Sequence, residues 1–197
     1  MFNKGREGIT RLLPEVLAAG TDEISPGMRE LLRLLWDEWQ ELNRRLSDCT
    51  RRIEAAVGQD DVCRRLTTVP GIGPLTATAL VAAVADGSMF RCARDLSAWL
   101  GLVPRQRSTG GKTKLLGISK RGNSYLRRLL ILGAHSARLN LNRDRHPRLG
   151  EWLTRLEKRA HRNTAVVALA NKLARTAWVI LRQGCTYNPL FGRPVAA

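Results

Sequence analysis

A mainly helical fold is expected, built from a helix–hairpin–helix element, one small β-hairpin and a long N-terminal coiled-coil arm. Three stretches carry this expectation. Apolar residues at Met28, Leu32, Leu35, Trp39, Leu42, Leu46, Cys49, Ile53 and Ala56 alternate steps of four and three, the 3.5-residue period of a coiled-coil seam. The run VPGIGP followed by LTATALVAAV joins a tight glycine turn to an alanine-rich helix. Residues 102–128, LVPRQRSTGGKTKLLGISKRGNSYLRR, hold too few apolar positions for a long helix and enough glycine for turns. The expected domains are an N-terminal helix and coiled-coil arm over residues 1–58, a helical domain over 59–183, and an irregular tail over 184–197.

Residues 6–19 read as a short helix that Pro14 breaks or kinks. Ser25 suits the N-cap of the next helix, with Pro26 at its first position. That helix carries the seam to a stop near Gly58. Its seam either packs on its own domain or meets a second helix, from the same or another chain, and a homo-oligomer through this arm is expected. A short helix follows over residues 59–68, with acids in its first turn. The PGIG turn then frees the amides of the next helix's first turn to bind phosphate; its glycines, Gly71 and Gly73, are nucleic-acid candidates. The rival reading is a plain packing hairpin, since Ala77, Ala79, Ala82 and Ala83 favour close helix contact. Residues 92–100 form a helix that buries Leu96, Trp99 and Leu100. Residues 103–107 and 114–118 are expected as strands joined by an STGGK loop. Asn123 caps a helix burying Leu126, Leu129, Leu130 and Ala134; residues 148–160 form another; Asn163 caps a last long apolar helix crossing the core.

Charge narrows the partners. Of 33 Lys/Arg and 17 Asp/Glu, residues 1–86 hold 11 and 13, leaving 22 and 4 for residues 87–197. Such a one-sided cation excess attracts polyanions, and nucleic acid is the leading partner. A membrane is not expected, because no basic amphipathic helix with an aromatic apolar face stands out and no run of about 18 apolar residues occurs. Four cysteines without CxxC spacing and three scattered histidines argue against a zinc site and for reduced thiols. With no apolar leader in MFNKGREG, a cytoplasmic location is expected.

Within residues 102–128 eight cations, Arg105, Arg107, Lys112, Lys114, Lys120, Arg121, Arg127 and Arg128, stand without a carboxylate. Gly110 and Gly111 let the backbone approach a ligand, and Ser108, Thr109 and Ser119 supply hydroxyls. Ser108 is the sharpest chemical candidate. A serine needs a base, a metal or strong electrostatic help to attack phosphorus, and the cations flanking it in sequence would stabilise a phosphorane. Two roles stay open for it on residues alone, nucleophile or phosphate-binding turn hydroxyl; Ser119 in GISKRGN is the runner-up. The carboxylates Asp60, Asp61, Asp86 and Asp95 are scattered, unlike the converging set that two-metal phosphoryl transfer needs.

PGIGP, then GLVPRQRSTGGK and GISKRGNSYLR, together resemble the C-terminal domain of the insertion-sequence transposases of the one-hundred-ten and eleven-eleven group, over residues 64–139. The resemblance implies a DNA recombinase guided by a structured RNA, which pairs a RuvC-like domain bearing four acidic magnesium ligands with a serine-bearing domain. By motif position the family's serine, which attacks the phosphodiester and forms a phosphoserine link, falls on Ser108. The preceding heptad helix is similar to that family's linker. The acidic domain is missing from this sequence, so the expectation is a transposase part that binds DNA and is inactive alone. Two rivals remain: a non-catalytic nucleic-acid-binding module, and a coiled-coil interaction protein.

Overall fold

The computed structural model of the protein describes residues 6–18, 24–190 and 193–195. Its contacts fall into two compact units, one ending at Arg52 and one beginning at Ile53.

The first unit holds α1 (Arg6–Ala18) and most of α2 (Pro26–Gln59). Pro14 was expected to break or kink α1; the helix runs on through it, so it is not broken there. Helix α2 starts at the expected proline, and Ser25 accepts hydrogen bonds from the amide of Arg29 at its carbonyl (3.0 Å) and from that of Met28 at its hydroxyl (3.4 Å). Ion pairs line the polar side: Glu41 takes Arg44 at 2.8 Å and Arg45 at 2.7 Å. Along the heptad seam Met28, Leu35, Leu42 and Leu46 are each more than half exposed, whereas Leu32, Trp39 and Ile53 are half-buried.

The second unit is organised by α8 (Arg162–Gln183), on which α3 (Asp61–Thr67), α5 (Ala93–Trp99), α6 (Ser124–Asn140) and α7 (Pro147–Glu157) pack; α4 (Pro74–Val84) packs on α3 and α6. Helix α8 is long and apolar enough to cross a membrane by composition, but its apolar face is the core: Leu169, Ala170, Leu173, Ala174, Ala177 and Ile180 are buried. The small residues let neighbouring helices approach closely, and the large ones each contribute about 1.5–3 kcal/mol by burial. Its N-cap differs from expectation. His161, not Asn163, caps it, with Nδ1 accepting from the Asn163 amide at 3.2 Å.

Strands β1 (Pro104–Thr109) and β2 (Lys112–Ile118) form an antiparallel hairpin. The expected loop between residues 107 and 114 is in fact the two-residue turn Gly110-Gly111, with φ of 56° and 74°. Two consecutive left-handed residues match the right-handed twist of a hairpin, and glycine takes that conformation without steric cost. The tail was expected to be irregular, but β3 (Thr186–Asn188) pairs antiparallel with β4 (Arg193–Val195). Among the described residues there are eight helices and these two small sheets.

Candidate nucleic-acid interface

The hairpin lies open. Every residue of β1 is exposed, as are Gly110, Gly111, Lys112 and Lys114. Its register pairs Gln106 with Leu115, Arg107 with Lys114, Ser108 with Thr113 and Thr109 with Lys112, and the extra residue that breaks the ladder falls on β2 between Leu115 and Ile118. Alternation along β1 is therefore unbroken. Because residues opposite each other in an antiparallel pair share a face, Arg105, Arg107, Thr109, Lys112 and Lys114 share one face. Gln106, Ser108 and Leu115 share the other.

That segregation corrects the sequence reading, which placed the four cations around the Ser108 hydroxyl. They stand across the ribbon from it. Among the described residues the hydrogen-bond partner of Ser108 is Gln106, whose Nε2 donates to Oγ at 2.9 Å. The exposed hydroxyl keeps its proton to donate. Among the described residues no group of three His, Cys, Asp or Glu could hold a metal ion.

The turn after β2 is built into the fold. The Ser119 amide donates to the Val103 carbonyl at 2.8 Å and the Lys120 amide to the Gly101 carbonyl at 3.2 Å. Gly122, at φ 96°, lies so close to the end of α5 that a Cβ would overlap the Trp99 carbonyl oxygen; a Cβ on Gly101, at φ 70°, would overlap the Arg121 carbonyl oxygen. Arg127 is half-buried, and its Nη1 donates to the Leu100 carbonyl at 3.0 Å, satisfying a carbonyl at the C terminus of α5. Ser119 is half-buried too, while Lys120, Arg121 and Arg128 are exposed. Lys120 holds a left-handed backbone, φ 57°, which costs a non-glycine residue about 1–2 kcal/mol. The clasp thus fixes the root of the hairpin and presents Lys120 and Arg121 outward.

The PGIG turn divides its two glycines. Gly71, at φ 88°, is pressed against α6, where a Cβ would lie 2.6 Å from the Gly133 carbonyl oxygen. Gly73 is exposed with open space around it, and as N-cap of α4 it has no side chain to cover the first-turn amides.

Two neighbourhoods escaped sequence reasoning. Tyr125, in the first turn of α6, is 54% exposed directly after the basic turn; an aromatic beside KRGN was the available signal. Asn163 and Asn171 of α8 lie in a groove with Arg105 and Lys120, and no local pattern announces a juxtaposition across so many residues.

Residues 63–149 match the model of the Transposase IS116/IS110/IS902 family. The chain is 43% identical over 186 residues to a "Probable family 20 transposase" of Pseudomonas aeruginosa, covering 94% of this chain and 55% of that protein. It is 41% identical to the transposase for insertion sequence element IS1328 of Yersinia enterocolitica, over 84% of this chain and 49% of that protein. With the transposase for insertion sequence element IS1111A of Coxiella burnetii it shares 39% identity, over 94% of this chain and 50% of that protein. The chain spans about half the length of these relatives. Residues 63–149 thus carry the domain of the Transposase IS116/IS110/IS902 family, and the chain is similar to these transposases over most of its own length.

Proposed function

We propose that this chain is the DNA-contacting, serine-bearing part of an insertion-sequence transposase acting in DNA transposition and recombination. The observation that carries the reading is the open hairpin, with four cations on one face and an exposed serine on the other. Arg105, Arg107, Lys112 and Lys114 neutralise backbone phosphates, with Thr109, Gly110 and Gly111 donating at the turn and Lys120, Arg121 and Arg128 extending the basic surface. The uncapped amides behind Gly73 add a phosphate contact, with Gly71 fixing that turn on α6. Arg127 and Ser119 act by positioning, since one holds the end of α5 and the other sits half-buried in the clasp.

In this reading Ser108 Oγ attacks a phosphodiester phosphorus and forms a phosphoserine ester as the P–O bond to a deoxyribose oxygen breaks; that oxygen leaves as a hydroxyl by taking a proton from an acid outside this chain. The Oγ proton leaves to a base outside this chain. The magnesium that the resemblance implies finds no fitting donor set among the described residues, so the acidic domain of a longer protein would hold it, and this chain alone binds without cleaving. A structured guide RNA would be a second polyanion for the same basic half. The exposed seam of α2 supports a homo-oligomer through that helix, which light scattering tests. The setting is the cytoplasm, where chromosomal DNA lies.

The test joins this chain to the part of the Pseudomonas aeruginosa relative that it does not cover and replaces Ser108→Ala. Lost strand cleavage with retained DNA binding is the expected result; unchanged cleavage removes Ser108 as nucleophile. The second reading, a non-catalytic nucleic-acid-binding module, is favoured by one observation: the cations face away from Ser108. It expects cleavage to be indifferent to that substitution.

A further inference from the structure

The cationic face of the hairpin does not end at the strands. Where β1 and β2 reach the body of the second unit, a groove of about 620 Å³ opens between the hairpin root and the first turns of α8. Leu116, Ile118 and Val167 give it apolar walls. Asn163 and Asn171 add amides, and Arg105 and Lys120 add positive charge without any lining carboxylate. Asn171 uses one N–H to hold the Leu102 carbonyl at 3.2 Å, which fixes its side chain and leaves an amide oxygen and a second N–H to turn toward an occupant.

We infer that this groove receives one unpaired nucleotide of a strand whose phosphates lie on the cationic hairpin face. The inference rests on the nucleic-acid reading above and adds a subsite to it. Size is the first reason: the volume lies within the range of small-ligand sites, about 300–1,000 Å³. Chemistry is the second. A nucleobase out of its stack asks for apolar surface against its faces and for groups that both donate and accept along its edge, which the walls and the two asparagines provide. Charge is the third, and it selects a nucleotide over an acidic peptide. Arg105 belongs both to the groove and to the row formed with Arg107, Lys112 and Lys114, so a polyphosphate running along that row arrives at the groove mouth. A paired base could not enter, because its faces are stacked and its edge is taken.

The experiment uses the whole chain and a thymidine oligonucleotide of about twelve residues, a length within the span of ordinary single-strand sites. Its affinity is compared by fluorescence anisotropy with that of an abasic strand of the same length. The wild type is expected to prefer the base-bearing strand by about tenfold, the size of effect that burying one base against apolar surface gives. Val167→Trp, which fills the groove, is expected to erase that preference and leave binding of the abasic strand unchanged. A companion measurement needs no variant to fold: 4-thiothymidine in the strand is expected to cross-link to peptides containing Leu116 and Val167. Binding of both strands alike, with cross-links confined to the hairpin tip, would overturn the groove while leaving the basic surface intact. Equal competition by a glutamate-rich peptide would reassign the groove to an acidic protein segment and likewise overturn the nucleotide. Absence of any binding at low salt would instead bring down the nucleic-acid reading itself.

Discussion

The hairpin Pro104–Ile118 and the turn at residues 119–123 follow one another, and both are rich in glycine and cations, yet the fold uses them in opposite ways. At Gly110 and Gly111 nothing lies within 4 Å of where a side chain would begin; at Gly122 the same position is occupied by the Trp99 carbonyl. In the hairpin glycine serves only the turn. In the clasp it also serves a close approach of two backbone segments, which brings Arg127 to the end of α5. Composition alone does not separate a surface that waits for a partner from a surface already used to hold the fold.

Alanine substitutions sharpen that contrast. Gly122→Ala is expected to destabilise the second unit by roughly 3 kcal/mol or more, because a strained left-handed backbone and an overlap with a carbonyl act together. Urea denaturation followed by far-ultraviolet circular dichroism checks it, and an unchanged midpoint would mean that the clasp is loose.

A second expectation concerns the core around α3. Burial first, and the neighbouring Asp60 second, push the Cys63 thiol up to about 12, against about 8.5 in an unfolded chain. The folded state therefore holds the proton more tightly. That contribution is fully present below about pH 8.5 and is lost progressively as pH rises towards 12, so stability should fall over that alkaline window. At pH 8 a thiol reagent should label the exposed Cys49 and Cys92 at once, and the buried Cys63 and Cys185 only after denaturation. Immediate labelling of all four would contradict the packing of α3 against α8.

Gly110→Ala, by contrast, should cost only about 1–2 kcal/mol, the penalty of a left-handed alanine with free space around it. Thermal melting distinguishes this from the larger Gly122 effect; equal losses at both sites would erase the distinction between turn and clasp.

Much of the fold was legible in the chain because its signals are local. Ser25-Pro26 and Asn123 mark the starts of α2 and α6, and the Asn123 side chain does accept from the Leu126 amide at 3.0 Å. The hairpin was legible as a pair of strands, but its faces were not. They depend on which residues make the turn, and a one-residue change of register exchanges the faces. Once Gly110 and Gly111 alone form it, the odd-numbered residues of β1 and the even-numbered Lys112 and Lys114 fall together, and Ser108 falls opposite. The contact of Gly71 with Gly133 and the groove between β1 and α8 were out of reach for another reason. They join residues far apart in sequence through tertiary packing, and neither leaves a periodic trace. His161 took the capping role expected of Asn163 because a ring nitrogen accepts from an amide two residues on, as a carboxamide would. The short pairing of β3 with β4 involves too few residues to show alternation.

The central claim is that one face of this hairpin is built for phosphodiesters. Its most direct test is the salt dependence of binding to a DNA duplex, measured for the wild type, for the fourfold Arg105→Ala, Arg107→Ala, Lys112→Ala, Lys114→Ala variant, and for Gln106→Ala with Leu115→Ala on the opposite face. At about 0.9 per phosphate contact, the fourfold variant should flatten the slope of log affinity against log salt by about 3 to 4, while the opposite-face variant keeps the wild-type slope. Equal slopes for all three proteins would contradict the account.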